Sequence, residues 1–118
     1  MSTPAIEAAT TYFDAWRAED FNRLRSVLAD DVTFTGPMGT ADGADECLAG
    51  LRGLRQILND IVVERRFTDG ENDILTWFAL DTKPAGVISP VVNWSHVEHG
   101  LITRIQVTFD PRPLTGGS

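Results

Sequence analysis

The sequence predicts an α+β domain, with helices first and an antiparallel meander afterwards. Three observations carry the prediction. The first 59 residues place apolar side chains at helical spacing, as in Ile6, Ala9, Phe13 and Trp16. From Ile61 onward the chain reads as four long β runs joined by turn residues. Between the two lies Leu28–Gly39, which reads as a helix end, the acidic hinge Asp30-Asp31, a short strand and a Gly-Pro-Met-Gly turn.

Each element has its own justification. Thr3-Pro4 supplies a capping hydroxyl followed by proline at the first helical position. Asp20 caps a second, shorter helix holding Phe21, Leu24 and Leu28. Val32–Thr35 is a short β run, and Gly36–Gly43 reads as a loop. Ala44–Asn59 forms the third helix, with Cys47, Leu51, Leu54 and Leu58 along one side. Gly50 and Gly53 each cost it about 1 kcal/mol relative to alanine, which suggests a close approach of this helix to the sheet. The strands are Ile61–Thr68, Ile74–Thr82, Ile88–Glu98 and Leu101–Phe109. Their connections are Asp69-Gly70-Glu71-Asn72, Lys83-Pro84-Ala85-Gly86 and His99-Gly100.

Length and composition bound the rest. A chain of 118 residues is one domain, expected over residues 1–111 with a loosely held tail over 112–118. The net charge of −7 argues against nucleic acid or an anionic membrane as partner. Cys47 is the sole cysteine, so no intrachain disulfide forms. The sequence shows no signal peptide and no apolar run long enough to span a bilayer, so a cytoplasmic location is expected.

Hairpin register sorts the strands into two faces. A two-residue His99-Gly100 turn sets Glu98 opposite Leu101, His96 opposite Thr103 and Trp94 opposite Ile105. The preceding turn sets Asp81 opposite Ile88, Trp77 opposite Val92 and Leu75 opposite Trp94. One face then collects Leu75, Trp77, Ala79, Asp81, Val92, Trp94, His96, Ile105, Val107 and Phe109. Being apolar and aromatic, it is expected beneath the helices. The other, with Phe78, Leu80, Asn93, Ser95, Val97 and Ile102, is expected outside, and its apolar share suggests a homodimer through the sheet. A three-residue loop at either hairpin exchanges the faces.

Tyr12-Phe13-Asp14-Ala15-Trp16, the hinge Leu28–Phe34 and the ending Gly100–Ile105 with Phe109-Asp110-Pro111 together resemble the nuclear transport factor 2-like superfamily, especially its SnoaL-like bacterial members. The resemblance covers residues 4 to 111. It implies a cone-shaped α+β barrel whose curved, mainly antiparallel sheet wraps a pocket closed by three N-terminal helices, in a protein that is often a dimer. The superfamily includes ketosteroid isomerases, polyketide cyclases, limonene-epoxide hydrolases and binding modules without known activity. The isomerases' base aspartate matches Gly36, which takes no proton, whereas their helix tyrosine matches Tyr12. Their second aspartate falls at Trp94 or Ser95, and the epoxide hydrolases' last-strand aspartate near Val107. His96 matches the pocket histidine of the cyclases.

His96, set among Trp94, Ile105 and Val107, is expected to be desolvated and neutral enough to act as a base, or else to be a core histidine bonded to Asp73. Asp81 is either an acid–base carboxylate or a strand-end residue tied to the Lys83 turn. Tyr12 is a candidate donor to a ligand carbonyl. Trp16, Trp77, Trp94, Val107 and Phe109 are candidate walls for a flat apolar ligand, or ordinary core. His96 and His99 point to opposite faces of a strand, so no metal is assigned, and no cofactor is expected. Two functions result: a cofactor-independent isomerase, cyclase or dehydratase acting by proton transfer on a small apolar molecule, or a non-catalytic binding or dimerisation module.

Overall fold

The computed structural model describes residues 3–83 and 85–115. Pro84 of the expected turn and residues 116–118 of the expected tail lie outside them. The order is α1 (Pro4–Arg17), α2 (Phe21–Ser26), β1 (Leu28–Gly36), β2 (Gly39–Asp42), α3 (Ala44–Arg55), β3 (Leu58–Asp69), β4 (Asp73–Thr82), β5 (Gly86–Glu98), β6 (Leu101–Thr108) and α4 (Arg112–Thr115). The Thr3 hydroxyl accepts from the Ile6 N–H at 3.3 Å and the Asp20 carboxylate from Arg23 N–H at 3.2 Å, so both expected caps form. The expected Gly36–Gly43 loop is largely strand, because β2 folds back onto β1 from Gly39↔Gly36 to Asp42↔Thr33. The third helix ends at Arg55 rather than Asn59, and Leu58 opens β3 instead. Part of the expected tail is helical: α4 packs Leu114 against the core.

The six strands form one curved sheet in the order β2-β1-β6-β5-β4-β3. The sheet curves into the cone that the resemblance implied, and it stays open, with β2 and β3 at its edges. All neighbours are antiparallel except β1 and β6, which run parallel from Leu28↔Ile102 to Thr35↔Gln106. Helices α1 to α3 cover the concave side. Ala5, Ala8 and Ala9 let α1 settle closely on it, and Phe13 meets Phe78 edge-on at 4.9 Å.

The face assignment is reversed for β4 and β5. Ile74, Thr76, Phe78, Leu80, Asn93, Ser95 and Val97 are buried beneath the helices. Trp77 and Trp94 point outward and are 38% and 41% exposed. The cross-strand pairs Leu75↔Trp94 and Trp77↔Val92 form as expected, so the pairing was right and the buried side wrong.

Two bulges complete the difference. Ser89 and Pro90 both fit between Ile88↔Leu80 and Val91↔Phe78, so Asp81 meets Val87 rather than Ile88. Proline has no N–H to give the ladder, which suits it to a bulge. In β6, Thr103 is the extra residue between Val97↔Ile102 and His96↔Arg104. The His99-Gly100 turn is the expected two-residue type, with φ of 53° and 78°. The bulge just beyond it moves Ile105 opposite Ser95 and Val107 opposite Asn93. Ile105 and Val107 therefore face inward as expected, but away from Trp94 and His96.

Candidate functional site

Between α1, α3 and the concave face lies a cavity of about 530 Å³, open at one side. Its wall is largely apolar. Tyr12 and Trp16 come from α1, Phe34 from β1, Leu51 and Leu54 from α3, Phe78 and Leu80 from β4, Val91 from β5, and Val107 and Phe109 from the chain's last strand and its exit. The β1–β2 turn, Gly36-Pro37-Met38-Gly39, forms part of the rim, with Met38 57% exposed. Gly36 stands in the wall: a Cβ there would sit 3.1 Å from the Phe34 ring, closer than such contacts normally come.

Polar groups gather at one end. Tyr12 is fully buried, and burial pushes its phenol well above the ordinary tyrosine value, so it is a neutral O–H. The nearby Asn93 amide pulls weakly the other way. Ser95 Oγ in turn donates to Asn93 Oδ1 at 2.7 Å. Asn93 and Ser95 are both buried, and they share a face because they stand two apart on β5. Thr76, the cross-strand partner of Asn93, carries the one buried side-chain oxygen without a partner among the described residues. Cys47 also lines the cavity, and burial pushes its thiol up to about 11, leaving it an inert S–H. Trp16 is fixed by an Nε1–H bond to the Leu51 carbonyl at 2.9 Å, which ties α1 to α3 across the cavity. Among the described lining residues Glu46, at the mouth, is the sole carboxylate. It accepts from the Asp42 N–H at 3.4 Å.

The residues singled out from the sequence divide into two groups. Tyr12, Trp16, Val107 and Phe109 meet in the cavity. Trp77, Trp94 and His96 lie on the opposite, outer face, and Asp81 is half-buried near the sheet end, where Asn59 Nδ2 approaches it at 3.5 Å. His96 is not the desolvated base expected. Its Nδ1 lies 2.9 Å from Asp73 and its Nε2 3.2 Å from Glu98. The Asp73 bond, helped by Glu98, raises its pKa above the usual histidine value and outweighs the effect of burial. The same contact lowers the Asp73 carboxyl. Trp94 Nε1–H also donates to Asp73 at 3.0 Å, and Arg104 lies over the Trp94 ring at 4.7 Å. No group of three or more metal-ligating side chains stands together among the described residues, and no helix there is long and apolar enough to cross a membrane.

The helices, the open curved sheet and the cavity between them agree with a family model, the SnoaL-like domain, over residues 9–105. The chain belongs to the SnoaL-like domain family. A Kribbella flavida protein of solved structure is 28% identical, with a TM-score of 0.90 over 98% of this chain and 94% of that one. A nuclear transport factor 2-like protein of unknown function from Cytophaga hutchinsonii is 27% identical, with a TM-score of 0.82 over 98% and 96%. A Mycobacterium tuberculosis epoxide hydrolase of the limonene-epoxide hydrolase type shares the fold at 24% identity, with a TM-score of 0.77 over 97% and 88%. No curated protein matches the sequence.

Within this SnoaL-like domain, reasoning from sequence missed Asn93, Ser95 and Glu46. Asn93 and Ser95 stood on the face taken for the outside. Their signal was the alternation itself, because polar residues two apart inside a long apolar strand mark either a wet face or a polar patch in a site. Glu46 had no signal, since a carboxylate in the first turn of a helix is ordinary there.

Proposed function

We propose that the protein binds a small, largely apolar organic molecule in this cavity and holds one polar atom of it at the Tyr12–Asn93 end. One observation carries the reading: a cavity of about 530 Å³ with apolar walls and a single buried polar end. Ligand sites have this composition, with much apolar area for affinity and a few fixed polar groups for orientation. Small ketones and polyketide-, terpenoid- or steroid-like molecules fit the description. The test is a panel of such compounds followed by tryptophan fluorescence and calorimetry, with Leu51→Trp as the blocked control. Binding that survives the block places the ligand elsewhere and ends the reading.

A second reading, proton transfer on the bound molecule without a cofactor, rests on Glu46. It is the one carboxylate among the described lining residues, and Tyr12, which lines the same cavity, would polarise a carbonyl. Loss of turnover in Glu46→Gln with ligand affinity retained supports it. Unchanged turnover leaves a binding protein.

The outer face supports pairing with a second copy. Phe67, Leu75 and Trp94 form one cross-strand row and Trp77 with Val92 the next. Phe67 is 53% exposed. Arg65 extends the Trp77 row on β3, and Asp73 and Arg104 flank His96 in the row beyond Trp94, so the aromatic rows are rimmed by charges of both signs. Sedimentation giving a monomer at micromolar concentration would refute this assembly.

A further inference from the structure

We propose that the cavity selects its ligands by charge: it takes molecules whose apolar body carries an amine, with that amine protonated and set at the mouth beside Glu46, and it turns away carboxylates and other anions. The proposal rests on the cavity-binding reading above and narrows its ligand class.

The wall is electrically one-sided. The chain has ten Lys and Arg residues and 17 Asp and Glu. None of the ten lines the cavity, and of the acids Glu46 alone does so among the described residues. The other two titratable lining groups, Tyr12 and Cys47, are raised by burial and stay neutral. An anion drawn inside would therefore meet no cation in the wall and would face both Glu46 and a net charge of −7. A cation meets the reverse. Glu46 has no ion-pair partner among the described residues. Arg25, which shares an adjoining recess with it, stands instead 2.6 Å from Asp30 and 4.0 Å from Asp45. The bond from the Asp42 N–H, at 3.4 Å, goes to Oε1 and leaves Oε2 open to a ligand. Tyr12, Trp16, Phe34, Phe78 and Phe109 line the same cavity, and aromatic ring faces attract an ammonium and repel a carboxylate.

Position follows from exposure. Glu46, Ala49 and Gly50 line the cavity and are exposed, so they stand where it opens. An ammonium there keeps part of its hydration, which spares it the cost of burial, while the hydrocarbon body fills the apolar interior.

The test uses three probes of one shape at pH 7: 2-aminotetralin, protonated; 2-tetralol, neutral; and tetralin-2-carboxylate, ionised. Calorimetry is expected to give the amine about threefold tighter binding than the alcohol, the value of one solvent-exposed ion pair, and the acid about threefold weaker binding. Both gaps should narrow in about 0.5 M salt. Glu46→Gln keeps an oxygen for the Asp42 N–H, and it should bring the amine level with the alcohol while the alcohol's affinity stays the same. It removes one charge from a net −7, so a preference arising from net charge alone would survive it. Glu46→Lys should reverse the order and make the acid the tightest ligand. Equal binding of the three probes by the wild type, or an acid that binds best, overturns the proposal and leaves the cavity reading standing. An amine preference that persists in Glu46→Gln overturns it as well, and so does a loss shared equally by all three probes, which would make Glu46 structural. No binding of any probe overturns both readings.

Discussion

Gly50 and Gly53 give the sharpest stability prediction. The sequence suggested that they let α3 approach the sheet closely. A Cβ built at either position meets nothing within 4 Å, and neither backbone lies in the left-handed region. Both glycines therefore weaken the helix without a packing benefit. Replacing glycine by alanine in a helix interior is worth about 0.5–1 kcal/mol. Gly50→Ala with Gly53→Ala should thus add about 1–2 kcal/mol. Unfolding entropy of about 2.1 cal/mol/K per residue over 118 residues is about 0.25 kcal/mol/K, so Tm should rise by about 4–8 °C. Gly50 also lines the cavity. Leucine is nearly as good a helix former as alanine, so Gly50→Leu should keep most of its share of the gain while its side chain narrows the opening. Calorimetric melting and ligand titration on the same samples check both halves: higher Tm for every variant, weaker binding only for leucine. A lower Tm in the alanine variant would refute the view that these positions are free of contacts.

Four further outcomes follow from geometry already described. Thr76→Val should stabilise by about 1 kcal/mol in denaturant unfolding, because it removes a buried hydroxyl with no partner at nearly constant shape; destabilisation would mean that the hydroxyl is serving a bound group. Iodoacetamide should alkylate native Cys47 roughly two hundred times more slowly at pH 8 than an ordinary thiol, from its smaller thiolate fraction alone, and mass spectrometry would expose any faster reaction. His96→Ala should cost no more than about 1 kcal/mol, with a definite pH profile. The raised His96 pKa gives a contribution complete below about pH 6.5 and lost as pH rises through the folded value, and the lowered Asp73 pKa gives one present above about pH 3.9 and lost as pH falls. The wild-type advantage should therefore peak near pH 5 and shrink by pH 9, and a flat difference across that range would count against the ion pair. Trp77→Arg should halve the mass seen by sedimentation while leaving the circular dichroism spectrum intact; an unchanged mass would move the dimer contact elsewhere.

The fold was legible because local chemistry and global pattern agree at most elements. Thr3, Asp20 and the His99-Gly100 turn each do what their residue types favour. The site was half legible. Tyr12, Trp16, Val107 and Phe109 line the cavity, but the choice of buried face failed for β4 and β5. The rule that the more apolar face goes inside was misapplied to a strand whose inner residues include Asn93 and Ser95, which serve the cavity's polar end. The outer face meanwhile holds Trp77 and Trp94, side chains that usually mark a core. Register alone could not repair this, because pairing is blind to which side the helices take. On β6 a second departure offsets the first, and Ile105 and Val107 still face inward. One extra residue, Thr103, reverses the facing of everything after it, and nothing in Leu101-Ile102-Thr103-Arg104 announces a bulge.

The parallel pairing of β1 with β6 sets the order in which this molecule can be made. Phe34 emerges from the ribosome early, yet the strand it lies against, Leu101–Thr108, follows only after β2 to β5 have been made. Until then the β1–β2 hairpin has one unpaired side and the cavity has no wall at Val107 and Phe109. A nascent chain can collect its helices and the β3–β5 meander during translation, but it cannot close. Chains cut short before Leu101 would carry open edges on both β1 and β5, the kind of surface that protein quality control recognises. The cavity is thus complete only after one late step, the joining of β1 to β6.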